Sequence, residues 1–366
     1  MVYCKHCKSV YPVHGIPYIC PVCGGLYDQD PWVYQVPDSA NRVLPGIWRY
    51  RNSLNLPDTA PAISLGEGST PLVWSNAFGR KVAFKCEFQN PTGSFKDRGS
   101  TTLVSFLAAR QVTRIVEDSS GNAGASLAAY AARAGIQASI FVPKTASGPK
   151  RRQIEAYGAE VIQVPGPRTA AAERVRLAVR DGTIYASHAY LPFNIPGYAT
   201  IAYEIVEQLG TSPGLFICPV GQGGLLLGAA YGFTAMKLAG IIHREPVLIG
   251  VQAANCAPMV AFHRDGLVGS PEIWDSETLA EGVRVREPLR MVDVVRVVEA
   301  SGGNFLAVAE TDILSGRDEL ASRGFYVEMT SAIVWNALGT IVRKPGMQQL
   351  PEPVVVVLTG SGLKTA

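Results

Sequence analysis

The chain has 366 residues, more than one hydrophobic core usually serves, so two domains are expected. Hydrophobic residues make up 47% and charged residues only 17%, a balance that points to extensive burial and an oligomer interface; a homodimer is the expected assembly. A net charge of +3 argues against a strong polyanion partner such as nucleic acid; no apolar run is long enough for a membrane span, and Met1-Val2-Tyr3-Cys4-Lys5 lacks a signal-peptide core, so a cytoplasmic protein is expected.

Four of the seven cysteines fall in the first 23 residues, as Cys4-x2-Cys7 and Cys20-x2-Cys23 with twelve residues between the pairs. Two short turns, supported by Pro21, Gly24 and Gly25, can each present two thiolates to one tetrahedral ion, which is the spacing of a zinc ribbon. Disulfides or bare thiols are the alternative, and a reducing compartment disfavours disulfides. Four thiolates leave no open coordination position, so a bound zinc is expected to be structural. Cys86, Cys218 and Cys256 lie in apolar runs and read as packing residues. After a ribbon over residues 1–30, the weakly periodic stretch that follows reads as an arm, residues 31–84, packed on the second domain.

The apolar run Val82-Ala83-Phe84 leads into Asn90-Pro91-Thr92-Gly93-Ser94-Phe95-Lys96-Asp97-Arg98-Gly99-Ser100. Pro91 and Gly93 make a turn, and Lys96 opens a helix. A lysine held there, partly desolvated and close to Arg98, has an amine suited to Schiff-base formation and general-base work. A solvated surface lysine is the plain alternative. Short apolar runs (Arg114–Val116, Ala138–Val142, Glu160–Val164, Thr183–Ala186) then alternate with helical patterns (Ala123–Ala134, Lys150–Tyr157, Thr169–Arg180). The alternation resumes through Leu215–Val220, Gly224–Leu238, Val247–Gln252, Asn304–Leu320 and Val354–Leu358. Such a pattern implies an α/β fold of parallel sheets covered by helices on both faces, with ligands at the carboxyl ends of the strands, in a cleft between two sheets. The Pro- and Gly-containing stretch Leu191–Gly197 reads as the break between a first domain, 85–195, and a second, 196–366.

Three further strand exits carry chemistry-bearing residues. Asp118-Ser119-Ser120-Gly121-Asn122-Ala123-Gly124 gathers hydroxyls, an amide and free backbone N–H groups at a helix start, a natural carboxylate site; simple capping by Ser120 or Asn122 fits the same residues. Pro219-Val220-Gly221-Gln222-Gly223-Gly224-Leu225 is a glycine-rich turn into a helix, suited to a phosphate. Val354–Leu358 runs into Thr359-Gly360-Ser361-Gly362-Leu363-Lys364.

The lysine segment resembles the cofactor-lysine motif of pyridoxal-phosphate (PLP) enzymes of the tryptophan-synthase-β class, fold type II, and within that class is most similar to the threonine synthases. Leu65-Gly66-Glu67-Gly68-Ser69-Thr70-Pro71-Leu72 and the cysteine ribbon fit too, so the resemblance runs from residue 4 to residue 364. It implies that Lys96 is the Schiff-base lysine, that Asn122 bonds the cofactor's 3′-oxygen, and that Ser119, Ser120 and Gly121 hold the carboxylate of a small amino-acid substrate. It also implies that Gly221, Gln222, Gly223, Gly224 and Leu225 cradle the cofactor phosphate, and that Thr359, or failing it Ser361, meets the pyridine nitrogen. The implied reaction converts O-phosphohomoserine and water to threonine and phosphate; a related β-elimination or β-replacement, such as a serine/threonine ammonia-lyase or a cysteate-synthase-like activity, needs the same four motifs.

One segment departs from the family. Where threonine synthases read Asn-Pro-x-Arg-x-x-Gly-Gln-Lys-Thr, this chain has Asn194 at the arginine position and Ala199 at the lysine position. Either another cation grips the substrate phosphate, with Lys144, Lys150, Arg151 and Arg152 as candidates, or the substrate carries no phosphate. His188 and Tyr190 fit acid/base, substrate-contact and packing roles alike. A different class of function, a ribbon that binds nucleic acid or a partner protein on a non-catalytic body, has only Lys5, His6, Lys8, Tyr11 and Tyr18 as its footprint.

Overall fold

The structure, a computed structural model, describes the chain except for residues 145–147, 167, 181–182, 267–275, 344–350 and 365–366. In chain order its elements are β1 (Val2–Cys4), β2 (Tyr27–Gln29), α1 (Ser39–Arg42), β3 (Leu72–Ala77), β4 (Arg80–Lys85) and α2 (Lys96–Ala109). Next come β5 (Arg114–Glu117), α3 (Asn122–Ala134), β6 (Gln137–Pro143), α4 (Pro149–Ala156), β7 (Glu160–Val164), α5 (Arg168–Arg180) and β8 (Ile184–Tyr185). The remainder is α6 (Ile195–Leu209), β9 (Leu215–Pro219), α7 (Gly224–Leu238), β10 (Val247–Ala253), α8 (Pro258–Asp265), α9 (Met291–Ala300), β11 (Asn304–Val308), α10 (Glu310–Ala321), α11 (Met329–Arg343) and β12 (Val354–Val357). The expected alternation is present, with most bounds moved by a residue or two.

The chain forms two compact units, Met1–Gly68 with Lys96–Gly197, and Ser69–Phe95 with Tyr198–Ala366. In the first, β7-β6-β5-β8 make a parallel four-stranded sheet and β1 pairs antiparallel with β2. Its core joins Leu103, Val104 and Phe106 of α2 to the Ala-rich face of α3 and to ribbon residues Tyr11 and Tyr27. Phe106 stacks on Phe193 at 3.5 Å, and Tyr11 meets Phe193 edge-on at 5.1 Å.

In the second unit the order is β11-β10-β9-β12-β4-β3, parallel apart from the antiparallel pair β3–β4. The four valines of β12 are all buried between β9 and β4, the continuous apolar run that a central parallel strand requires.

The units differ from the expected boundaries. The segment read as one arm divides: residues 31–68 group with the first unit, where the Trp48 indole N–H donates to Thr101 Oγ1 at 3.0 Å, while β3 and β4 extend the sheet of the second. The first unit resumes at Lys96 rather than residue 85, and the later crossing falls after Gly197, inside the first turn of α6.

Candidate active site and metal centre

Lys96 is the first residue of α2 and is half-buried. The turn before it is fixed within the second unit. Phe95 N–H donates to the Thr359 carbonyl at 3.0 Å, Ser361 N–H donates to the Gly93 carbonyl at 2.9 Å, and Lys364 Nζ donates to the Thr92 carbonyl at 2.7 Å. The lysine motif and the β12 exit, some 260 residues apart in sequence, are therefore laced together up to the residue preceding Lys96. The Ser94 hydroxyl is fully buried there and bonds no other group among the described residues.

In the first unit, Asp97 follows the lysine and is fully buried; its carboxylate accepts from Ser126 Oγ at 2.6 Å, and Ser126 lies 2.7 Å from Ser100 Oγ. This network ties the first turn of α2 to the first turns of α3. The loop Ser119–Gly121 sits at the start of α3, whose N-cap is Gly121, and no side chain caps it among the described residues. Ser120 and Asn122 are thus not spent on capping. A Cβ at Gly124 would overlap the Ser119 carbonyl, so the loop folds tightly onto the helix end. Asp118 instead accepts from Tyr185 OH at 2.7 Å; burial, and then the Glu117 and Asp118 carboxylates, hold that phenol well above its usual range.

In the second unit, Gly221–Gly224 link β9 to α7. Gly223 has φ +84 and is the N-cap, again without a side-chain cap bond among the described residues; a Cβ there would overlap Val294. Gln222 Oε1 accepts from Leu289 N at 3.1 Å, so this side chain pins the loop. Leu225 is buried in the first turn of α7. Thr359, almost fully buried, lies 2.8 Å from Ser331 Oγ of α11, which also accepts from Gly360 N at 2.8 Å.

The four ribbon thiols of the first unit converge, with all sulfurs within 4.8 Å of one another. Cys4 and Cys23 sulfurs are 3.4 Å apart and those of Cys7 and Cys20 are 3.6 Å apart, near the roughly 3.8 Å edge of a tetrahedron with Zn–S of about 2.3 Å. All four cysteines are free thiols, so the disulfide alternative is not realised. The Ser9 hydroxyl, 3.2 Å from Cys20 Sγ, helps lower that thiol to about 5. At Cys23 the Gly25 N–H lowers the thiol, but burial and the other three sulfurs outweigh it and push it up to about 12.

Other flagged residues are occupied elsewhere. His188 Nδ1 is 2.8 Å from Glu117 Oε1, and Tyr190 OH accepts from Arg176 at 3.2 Å. Asn194 is buried, its Nδ2 donating to the His188 carbonyl; Ala199 is buried in α6. On α4, Arg151 pairs with Glu155 at 2.9 Å. Sequence reasoning did not single out Ser331, Ser126 or the buried Arg290 beside Leu289; the first two act through partners 28 and 29 residues away, a relation no local spacing records.

The family profile described as pyridoxal-phosphate dependent enzyme matches residues 63–360. The chain belongs to this family. Within it, the chain is similar to the threonine synthase of Methanocaldococcus jannaschii, 34% identical over 99% of this chain and 92% of that one, and to the threonine synthase of Mycobacterium tuberculosis, 35% identical over 90% and 91%. Among solved structures it resembles maize serine racemase, with a TM-score of 0.69 and 22% identity over 80% of this chain and 88% of that one. It also resembles a threonine deaminase from T.th., with a TM-score of 0.65 and 26% identity over 80% and 92%. The fold is thus PLP fold type II, in a chain that is threonine-synthase-like by sequence.

The residues present fit the family's cofactor. The glycine loop enters α7 with no side-chain cap among the described residues, α3 starts in the same way, and the buried hydroxyl of Ser94 lies two residues from the lysine.

Proposed function

We propose that this chain is a PLP-dependent, threonine-synthase-like lyase that converts O-phosphohomoserine and water to threonine and phosphate. The observation that carries the reading is the placement of the lysine, Ser-Ser-Gly-Asn, glycine and Thr-Gly motifs, each at the exit of a strand, in a chain 34% identical over 99% of its length to a threonine synthase. Bound PLP supplies an aldehyde for the Lys96 amine and an electron sink for charge developing on the substrate. Gly221, Gln222, Gly223, Gly224 and Leu225 would hold its phosphate through backbone N–H groups and the α7 dipole. Asn122 would donate to its 3′-oxygen, and Thr359 would donate to its ring nitrogen. Ser119, Ser120 and Gly121 would hold the substrate carboxylate at the start of α3, the Gly121 N–H giving up its long 3.4 Å bond to Ser119 Oγ. Lys96 Nζ would take the proton from the substrate Cα; loss of a Cβ proton would let phosphate leave Cγ with the bonding pair, and return of a proton to Cγ, addition of a water hydroxyl at Cβ and reprotonation of Cα would complete threonine. A lysine at a helix N-terminus suits this role, because the positive end of the dipole favours its neutral amine over the ammonium.

Cys4, Cys7, Cys20 and Cys23 hold one structural zinc ion, which the convergence of the four sulfurs supports and which requires the thiols to stay reduced.

A second reading, β-elimination on a hydroxy amino acid, is favoured by one observation: the family's two cation positions are Asn194 and Ala199, both buried, the first tied to His188. Turnover decides between them. PLP-loaded protein given O-phosphohomoserine should release threonine and phosphate in equal amounts. Release of neither, with 2-oxo acid formed from serine or threonine, overturns the first reading in favour of the second.

A further inference from the structure

We propose that Ser331 is a positioning residue that sets the direction of the Thr359 hydroxyl, holding it as a donor toward the cofactor ring nitrogen. The proposal rests on the assignment of Thr359 to that nitrogen, and it follows from a count of protons in a closed cluster. Both hydroxyls are buried, Ser331 completely and Thr359 to within 1%. Gly360 N–H donates to Ser331 Oγ at 2.8 Å, so one lone pair of Ser331 is taken and its single proton must go outward. Two acceptors lie in reach: Thr359 Oγ1 at 2.8 Å and the Gly360 carbonyl at 3.3 Å. The carbonyl is the poorer choice by distance, and on this ground the proposal makes Ser331 the donor to Thr359 Oγ1. Thr359 cannot return its own proton along the same line, so that proton points away from Ser331. A ring nitrogen that meets this hydroxyl meets a donor and can only accept, which keeps it unprotonated.

Backbone bonds leave the cluster little room to rearrange. The Thr359 carbonyl accepts from Phe95 N–H, and Ser331 N–H donates to the Glu328 carbonyl at 2.9 Å in the first turn of α11. Remove the Ser331 hydroxyl and Gly360 N–H loses its acceptor, while the Thr359 hydroxyl becomes free to rotate.

The test uses holoenzyme reconstituted with pyridoxal phosphate 15N-labelled at the ring nitrogen, read by 15N NMR, together with the cofactor dissociation constant. In the wild type the resonance should lie in the unprotonated, hydrogen-bond-accepting range. Ser331→Ala should move it and weaken cofactor binding about three- to tenfold, the scale of one net hydrogen bond, whereas Ser331→Thr should retain both values. If Ser331→Ala matches the wild type while Thr359→Val shifts the resonance, Ser331 does not orient Thr359, and the ring-nitrogen assignment stands. If Thr359→Val also changes nothing, the assignment itself fails. Should Ser331→Ala not fold, a protonated ring nitrogen in the wild type would still overturn the proposal, because Thr359 would then have to accept.

Discussion

The cysteine ribbon and the hydroxyl cluster at the β12 exit are built on opposite principles. The ribbon draws its four converging thiols from within 20 consecutive residues, and two tight turns bring them together. The β12 exit is assembled from Thr92, Gly93 and Phe95, from Ser331, and from Thr359–Lys364, with bonds spanning up to 272 residues. A local site takes its stability from the ion it binds, and a remote one takes it from the fold around it. Each is therefore vulnerable in its own way: the first to loss of metal, the second to small changes of volume or hydrogen bonding far from the reacting atoms.

The largest effect is expected at the ribbon. Cys20→Ser should take the bound zinc from about one per chain to none and loosen the ribbon, whose remaining support is the β1–β2 pair and the packing of Tyr11 and Tyr27 in the core of the first unit. Metal analysis and proteolysis of the N-terminal segment report this. Because the proposed carrier of the cofactor is Lys96 at the start of α2 and not a ribbon residue, the cofactor absorbance band of the surviving protein should remain. Loss of that band together with the metal would show that the two regions are not independent.

A smaller effect is expected at the glycine loop. Gly223→Ala puts a Cβ into Val294 at φ +84, a strain of about 1–3 kcal/mol falling on the proposed phosphate cradle. The cofactor dissociation constant should rise about tenfold or more, measured by fluorescence quenching; an unchanged constant would remove the cradle from Gly221–Gly224. Smaller still is Ser126→Ala, which strips one donor from the buried Asp97 carboxylate beside the lysine. Unfolding in urea should show a loss of about 1 kcal/mol, with a lower turnover number and little change in the Michaelis constant. An equal fall in stability without a change in turnover would limit Ser126 to a structural role.

Legibility in the sequence follows the same division. The strand and helix alternation, the cysteine quartet and the four motifs are all local patterns, and β7 and α7 stand at their expected bounds. Pro196 and Gly197 read as a break between domains, because each disrupts a helix interior. The crossing between the units does fall after Gly197, but with no break in the chain's helix: both residues lie in the first turn of α6, where a proline has no hydrogen bond to lose. The arm of residues 31–84 divides because β4 pairs with β12, a partner more than 260 residues away. Ser331 shows the same limit. Nothing in Met329-Thr330-Ser331-Ala332 distinguishes a hydroxyl on an ordinary buried helix from one aimed at Thr359, until β12 and α11 are folded against each other.

The proposed chemistry stands or falls with Lys96, at the first turn of α2, as the residue that carries the cofactor. Borohydride reduction of the holoenzyme followed by peptide mapping tests this, since reduction locks the cofactor onto whichever amine holds it. The pyridoxyl group should be found on the peptide containing Lys96, and Lys96→Ala should yield none. Finding it on Lys85, Lys144 or Lys364 would refute the assignment.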